Sequence, residues 1–270
     1  MFISKMKLFD YVDSQLYDKA NYRLLILVEE IRLKYVTIIF DVADTLVEFY
    51  PNYAKIYGDR LRSLGFEVSD KMSQTVSREV NYISYEQTQM EENGSPHISK
   101  SEKRRLKDKA ALSCVLNQDE NRDELLDRLS HVPIPKQKMY VKRDTFEVLN
   151  ILREQKYRLA IVSNFQASLI QSLKELGLSP YFETIIISEI VGVEKPNVRI
   201  MQIALDELEL EPASCLYVGD QPLDVLCAKQ AGMDCVWITS KNNAMPENIN
   251  AKEDYKIENL TELLNVLTSE

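Results

Sequence analysis

Short runs of β-branched and aromatic residues recur along the chain, separated by stretches in which hydrophobic residues return every three or four positions. The first run, residues 35–40, predicts a buried strand that stops abruptly at Asp41. Similar runs predict four further strands, at residues 159–162, 184–187, 215–218 and 234–238. Helical patterns follow these strands, at residues 167–176, 198–208, 222–231 and 260–267. This alternation predicts a parallel sheet wound with right-handed crossovers.

A long helical block separates the first predicted strand from the others. Residues 50–135 carry hardly any strand signal, and helices are predicted there at residues 69–90, 100–116 and 119–129. Leu8, Val12 and Leu16 lie at four-residue spacing, so residues 1–34 are also predicted to be helical.

These patterns together predict one architecture, an α/β fold with an insertion. A Rossmann-like parallel sheet with helices on both faces is expected from residues 35–50 and 136–270. A helical domain is expected to interrupt it at residues 51–135, and an N-terminal helical extension to precede it at residues 1–34. The extension offers a surface for a partner or for self-association.

Composition narrows the class of protein. The 270 residues are 45% hydrophobic and 28% charged, which is typical of a globular chain. The formal net charge is -9, whereas proteins that bind nucleic acids usually carry an excess of basic residues, so no nucleic-acid partner is expected. The four cysteines form no CxxC pair, and no apolar run approaches the ~18 residues of a membrane span. We therefore expect a cytoplasmic protein without a membrane partner.

Acidic residues, together with a serine, an asparagine and a lysine, follow the predicted strands. They form the segments Asp41-Val42-Ala43-Asp44-Thr45, Ser163-Asn164, Glu194-Lys195-Pro196 and Gly219-Asp220-Gln221-Pro222-Leu223-Asp224. Carboxyl ends of parallel strands share one edge of a sheet, so these segments are expected to converge. A carboxylate there can attack phosphorus, a lysine can neutralise phosphoryl oxygens, and carboxylates can hold Mg²⁺.

In their order and spacing these segments resemble the haloacid dehalogenase-like superfamily, over roughly residues 35–240. The resemblance implies that the helical insertion is that family's cap and that the cofactor is Mg²⁺. It also implies a role for each matching position. Asp41 would be the nucleophile and Lys195 its charge partner, with Thr45, Ser163 and Asn164 binding the phosphorylated substrate. The metal would be held by Asp41, the Ala43 carbonyl, Asp220 and Asp224, although Asp224 is equally placed to orient its loop or cap the next helix.

One position departs from the family pattern. Phosphatases of the superfamily have a second aspartate two residues after the nucleophile, which protonates the leaving group, and this chain has Ala43 there. Asp44 follows one step later, and two interpretations are open for it: a substitute acid–base group, or a loop residue that bonds backbone amides.

Three functions are compatible with this site. The first is a Mg²⁺-dependent phosphohydrolase that acts on a small phosphorylated metabolite through an aspartyl-phosphate on Asp41. The second is a weakly active or inactive relative that binds a phosphorylated ligand or a protein, which the loss of the aspartate at Ala43 would explain. The third is carbon–halogen or carbon–phosphorus cleavage. A phosphonate-cleaving relative would tolerate Ala43 but would need a Schiff-base lysine in the cap, for which the candidates are Lys100, Lys103, Lys107 and Lys109.

Overall fold

A computed structural model of the chain describes residues 34–92, 98–116, 121–239, 245 and 249–268. The strands in these residues are β1 (Thr37–Phe40), β2 (Val47–Tyr50), β3 (Lys138–Val141), β4 (Arg158–Ser163), β5 (Thr184–Ile187), β6 (Cys215–Gly219), β7 (Asp234–Ile238) and β8 (Tyr255–Ile257). The helices are α1 (Tyr53–Ser63), α2 (Asp70–Glu92), α3 (Lys100–Ser113), α4 (Arg122–His131), α5 (Thr145–Glu154), α6 (Leu169–Glu175), α7 (Ser188–Val191), α8 (Arg199–Leu208), α9 (Pro222–Gln230) and α10 (Leu263–Thr268). The N-terminal extension, with the partner surface predicted for it, lies outside the described residues.

Six strands form one sheet in the order β5-β4-β1-β6-β7-β8, and every neighbouring pair is parallel. β1 lies between β4 and β6, so Thr37 is paired with Arg158 on one side and with Cys215 on the other. The predicted α/β fold with a parallel sheet is confirmed.

Helices cover both faces of this sheet, because successive residues of a strand point to opposite sides. Ile38 and Phe40 of β1 are completely buried on one face, against α5, α6 and α10. Ile39 is buried on the other face, against α8 and α9. The continuous apolar runs that predicted the strands therefore reflect burial on both sides.

Helices α1 to α4 lie between β2 and β3, where the helical insertion was predicted. Ser69 accepts a hydrogen bond from the Met72 backbone N–H at 3.2 Å, so α2 begins where the sequence predicts it. The four helices share a hydrophobic core of their own, which includes Val76, Val80 and Leu129. This separate core supports the predicted cap, and its boundaries at residues 51 and 135 stay a prediction.

Several elements were not predicted, among them three strands. β2 and β3 form an antiparallel ribbon at the two points where the chain enters and leaves the insertion, and β8 adds an edge strand to the sheet. These strands have only three or four residues and mix polar with apolar positions, so their pattern is too short to recognise. Helix α5 was also overlooked, although Val148, Leu149 and Leu152 have helical spacing. Each described helix is too short or too polar to cross a lipid bilayer.

Candidate active site

The carboxyl ends of three neighbouring strands meet at the middle of the sheet. The chain runs from β1 to β4 and β5 on one side and then crosses to β6 on the other, so the strand order reverses at β1. A crevice that binds ligands forms at such a point. Asp41 follows β1, Ser163 ends β4 and Asp220 follows β6. The structure therefore brings these three predicted residues to one crevice.

Lys195 is the charged centre of the cluster. It is only 1% exposed, and its Nζ donates hydrogen bonds to Asp41 Oδ1 at 2.7 Å and to Asp224 Oδ1 at 2.6 Å. The Asn164 side chain holds the backbone of Lys195, accepting from its N–H at 2.7 Å and donating to its carbonyl at 2.8 Å. These contacts fix the ammonium group between two carboxylates.

Tyr217 belongs to this cluster and was not predicted. Its hydroxyl accepts a hydrogen bond from Lys195 Nζ at 2.9 Å and donates to the Val162 carbonyl, also at 2.9 Å. Burial, followed by the charges of Asp224 and Asp41, raises its pKa well above the usual value, so it is a neutral phenol. The signal was a tyrosine within an apolar buried strand, since a buried tyrosine hydroxyl needs a partner.

Asp224 makes the hydrogen bond expected of a helix-capping residue, which was one of its predicted alternatives. Its Oδ2 accepts a hydrogen bond from the Gln221 backbone N–H at 2.9 Å, which caps α9, while its Oδ1 binds Lys195. The carboxylate lies directly over Gly219, where an added Cβ would be 2.5 Å from the Asp224 Cγ. Glycine is therefore required at the end of β6, because a side chain there would displace this carboxylate. The predicted contact of Asp224 with a metal stays a prediction.

Burial sets the charge state of the remaining carboxylates. Desolvation raises the pKa of Asp41 to about 6, and it outweighs the opposing attraction of Lys195. Desolvation and the neighbouring Asp224 and Asp41 charges raise the pKa of Asp220 well above its usual value. The carboxylates in turn raise the pKa of Lys195 and keep it protonated.

The donor set fits a divalent cation. One carboxylate oxygen from each of Asp41, Asp220 and Asp224 lies within 4.8 Å of the other two. Oxygen ligands of this kind are those that Mg²⁺ takes, and a bound cation would relieve the repulsion that raises the pKa of Asp220. Lys195 donates to Oδ1 of Asp41, and Gln221 donates to Oδ2 of Asp220. A carboxylate has about four acceptor positions, so both groups can still ligate a metal.

Asp44 lies at the mouth of the crevice with a left-handed backbone, at φ 55°. Its carbonyl accepts a hydrogen bond from Lys142 Nζ at 2.8 Å, whereas its exposed carboxylate bonds no backbone amide in the part of the chain that is described. Desolvation raises the pKa of Asp44, and the charge of Lys142 opposes that shift. Both interpretations of Asp44, substitute acid–base group and loop residue, stay predictions.

The predicted substrate-binding residues have different environments. Ser163 is 1% exposed, and its hydroxyl helps to lower the pKa of the Asp41 carboxylate against the larger effect of burial. The Asn164 side-chain amide is hydrogen-bonded to the backbone of Lys195, so in this structure it positions that residue. The buried Thr45 hydroxyl has no hydrogen-bond partner within the described residues. Phosphate binding by these three residues stays a prediction.

A cavity of about 670 Å³ opens from the crevice toward the insertion. Its wall on the sheet side includes Asp44, Lys142, Asp220 and Trp237. Trp237 was not predicted as a site residue, and its indole N–H donates to the Asp220 carbonyl at 2.8 Å. The cavity therefore extends from a predicted metal ligand, and helix α2 forms the opposite wall.

Lys107 differs from the other lysines proposed for the insertion. Its Nζ lies 5.3 Å from the centre of the Tyr53 ring, and desolvation lowers its pKa. Burial raises the pKa of Tyr53, and the charge of Asp44 adds to that effect. A lowered pKa favours the neutral amine form of Lys107, which is the form that can act as a nucleophile.

The fold and site define a class of α/β proteins in which a helical block follows the first strand of the sheet and a carboxylate–lysine cluster lies at the carboxyl ends of the strands. Residues 38–238 match the family model described as haloacid dehalogenase-like hydrolase. The chain belongs to this family, which confirms the resemblance seen in the sequence.

Several curated proteins are similar to parts of the chain. A glyceraldehyde 3-phosphate phosphatase of Methanopyrus kandleri is 34% identical over 128 residues, covering 46% of this chain and 55% of that protein. A pyrophosphatase PpaX of Bacillus pumilus is 26% identical over 122 residues, covering 45% and 56%. The match thus spans about half the length of these relatives.

Solved structures match over almost their whole length. A HAD phosphatase from Thermococcus onnurineus is 26% identical with a TM-score of 0.52, covering 87% of this chain and 98% of that one. An L-2-haloacid dehalogenase is 16% identical with a TM-score of 0.60, covering 87% and 99%, and shows the shared fold.

Proposed function

We propose that the protein is a Mg²⁺-dependent phosphatase that hydrolyses a small phosphorylated metabolite through a phosphoryl group carried on Asp41. The observation that carries the proposal is the bridge from Lys195 to Asp41 and Asp224, with Asp220 beside it. Family membership and the phosphatase names of similar proteins support it.

Each site residue has its own role in the proposed reaction. An Asp41 oxygen attacks phosphorus, and the bond from phosphorus to the substrate oxygen breaks. The leaving oxygen takes a proton, and water then attacks the same phosphorus, which releases phosphate and restores the carboxylate. Lys195 and Ser163 stabilise the phosphoryl oxygens. Mg²⁺ held by Asp41, Asp220 and the Ala43 carbonyl, with Asp224 beside them, would neutralise their remaining charge.

Hydrolysis of p-nitrophenyl phosphate with and without Mg²⁺ tests this function. The purified protein should release p-nitrophenol with Mg²⁺ and lose that activity in EDTA, because the charge on the phosphoryl group needs a cation. Restored Mg²⁺ should restore the rate. A protein that binds phosphate esters without hydrolysing them, under any metal condition, would instead support the phospho-ligand-binding alternative.

Asp44 is proposed as the proton donor that replaces the aspartate absent at Ala43. Asp44→Asn keeps the backbone, because asparagine tolerates the left-handed conformation. It should lower kcat by about 10²-fold or more for glycerol 1-phosphate, whose leaving group needs a proton. For p-nitrophenyl phosphate the loss should be much smaller. Equal losses on the two esters would contradict the role, and Ala43→Asp in the Asp44→Asn background should recover part of the rate.

Lys107 favours carbon–phosphorus cleavage as a second candidate function. Its lowered pKa suits an amine that condenses with a carbonyl, losing water and leaving a protonated imine as an electron acceptor. With phosphonoacetaldehyde, borohydride should then reduce the imine and inactivate the protein irreversibly. Lys107→Arg should block that trapping, and Lys109→Arg is the matched control. Inactivation that does not depend on Lys107 would exclude this candidate.

A further inference from the structure

The cavity between α2 and the sheet has walls of different chemistry. Helix α2 turns the apolar side chains of Val76 and Val80 into the core of the insertion, where they are fully buried. Its opposite side lines the cavity with five polar residues, Gln74, Ser77, Arg78, Asn81 and Tyr82. Their spacing of three and four positions places them on one helix face. This polar face is therefore turned toward the crevice that holds Asp220.

Arg78 is the charged residue of that face, and its guanidinium group is exposed. Three other arginines of the insertion are occupied: Arg60 binds Asp108, Arg62 binds Asp59, and Arg104 binds the Val132 carbonyl. Arg78, by contrast, has no carboxylate at ion-pair distance anywhere in the described ranges. A cation without a partner remains available for an anion brought by a ligand.

The wall of the cavity opposite Arg78 carries both acidic and basic side chains. It carries the acids Asp44, Asp220 and Glu258, and its Lys142 is bonded to the Asp44 carbonyl. Arg78, on the other side of the cavity, offers two parallel N–H donors to a carboxylate or a phosphate.

The cavity has room for such a substrate. Asp220 lines it and has an oxygen within 4.8 Å of an Asp41 oxygen, so a phosphoryl group at Asp41 would leave its organic part in the cavity. A volume of about 670 Å³ lies within the usual range of metabolite pockets.

We infer that the substrate is a phosphomonoester whose organic part carries a second anionic group, and that Arg78 binds this group through its guanidinium. The inference rests on the proposed phosphatase function. Carboxylate and phosphate share the chemistry that Arg78 recognises, and matched pairs of esters separate them.

The test compares kcat/KM within two pairs: 3-phosphoglycerate against glycerol 1-phosphate, and fructose 1,6-bisphosphate against fructose 6-phosphate. In at least one pair, the wild type should have a kcat/KM about tenfold or more higher for the ester with the second anionic group, which is 3-phosphoglycerate or fructose 1,6-bisphosphate. A charge-assisted bidentate hydrogen bond accounts for a preference of that size. Arg78→Gln should bring that ratio close to one, mainly through KM, and Arg78→Lys should keep part of it. Arg105→Gln changes an exposed arginine of α3 outside this cavity and should leave the ratio unchanged.

Each other outcome overturns the inference. A wild-type ratio near one, a ratio unaffected by Arg78→Gln, or an equal loss on the two members of a pair would all remove Arg78 as the anion-binding residue. Turnover of p-nitrophenyl phosphate in those cases would leave the phosphatase function intact. Failure to hydrolyse any ester, that one included, would overturn the proposed function and this inference together.

Discussion

Asp41→Asn should abolish phosphatase activity, with a loss in kcat of about 10⁴-fold or more. The carboxamide keeps the shape of the side chain, but it cannot attack phosphorus and carries no charge for a metal. Because Lys195 still has Asp224, Tyr217 and the Val162 carbonyl as acceptors, the buried ammonium stays hydrogen-bonded and the protein should fold. The measurement is the rate of p-nitrophenyl phosphate hydrolysis in saturating Mg²⁺, with circular dichroism to check the fold.

Asp206→Asn is a matched control for this variant. Asp206 lies on α8 with a side chain that is 72% exposed, so the same chemical change there should leave the rate unaltered. A folded Asp41→Asn protein that keeps metal-dependent turnover near the wild-type rate would show that phosphorus is attacked by another group, and the aspartyl-phosphate route would be wrong.

Asp108→Ala should destabilise the protein by about 3–5 kcal/mol, the usual cost of removing one partner from a buried ion pair. Arg60 donates to Asp108 Oδ1 at 2.6 Å and to Oδ2 at 3.0 Å, and the two side chains are only 2% and 1% exposed. Arg60 also donates to the Leu129 carbonyl at 2.7 Å, so the pair joins α1, α3 and α4. Without Asp108 a guanidinium charge stays buried with carbonyl partners alone. Urea denaturation measures the change in the free energy of unfolding.

Asp59 provides the comparison for this experiment. It also binds an arginine, Arg62 at 2.9 Å, but its side chain is 52% exposed. Asp59→Ala should therefore have a small effect, because water and salt screen an exposed pair. Replacing both members of the buried pair, as in Arg60→Met with Asp108→Leu, should recover much of the stability lost in Asp108→Ala. Equal losses for Asp108→Ala and Asp59→Ala would contradict the importance given to burial.

Much of the fold follows from the pattern of residues along the chain. β1, β4, β5, β6 and β7 are buried on both faces of the sheet, so each one is a continuous apolar run in the sequence. Because the carboxyl ends of parallel strands share one edge, the positions of Asp41, Ser163 and Asp220 in the sequence already predicted their convergence.

Other features depend on contacts between distant segments. The pairing of Val47 with Val141 joins strands on the two sides of the helical insertion, and no local periodicity indicates it. The same holds for the bond between Arg60 and Asp108, because a charged residue in a helix is ordinarily predicted to face solvent.

Residue patterns predicted the class of fold, the family and most residues of the cluster at the end of β1, because burial periodicity and motif order are local properties. The packing of the chain was needed to show that Tyr217 bonds Lys195, that Trp237 bonds the Asp220 backbone, and that Arg78 lines the cavity. A sequence pattern indicates whether a position is buried or exposed. The partner of a buried polar group, and the cavity that an exposed one lines, depend on the packing of segments that are far apart along the chain.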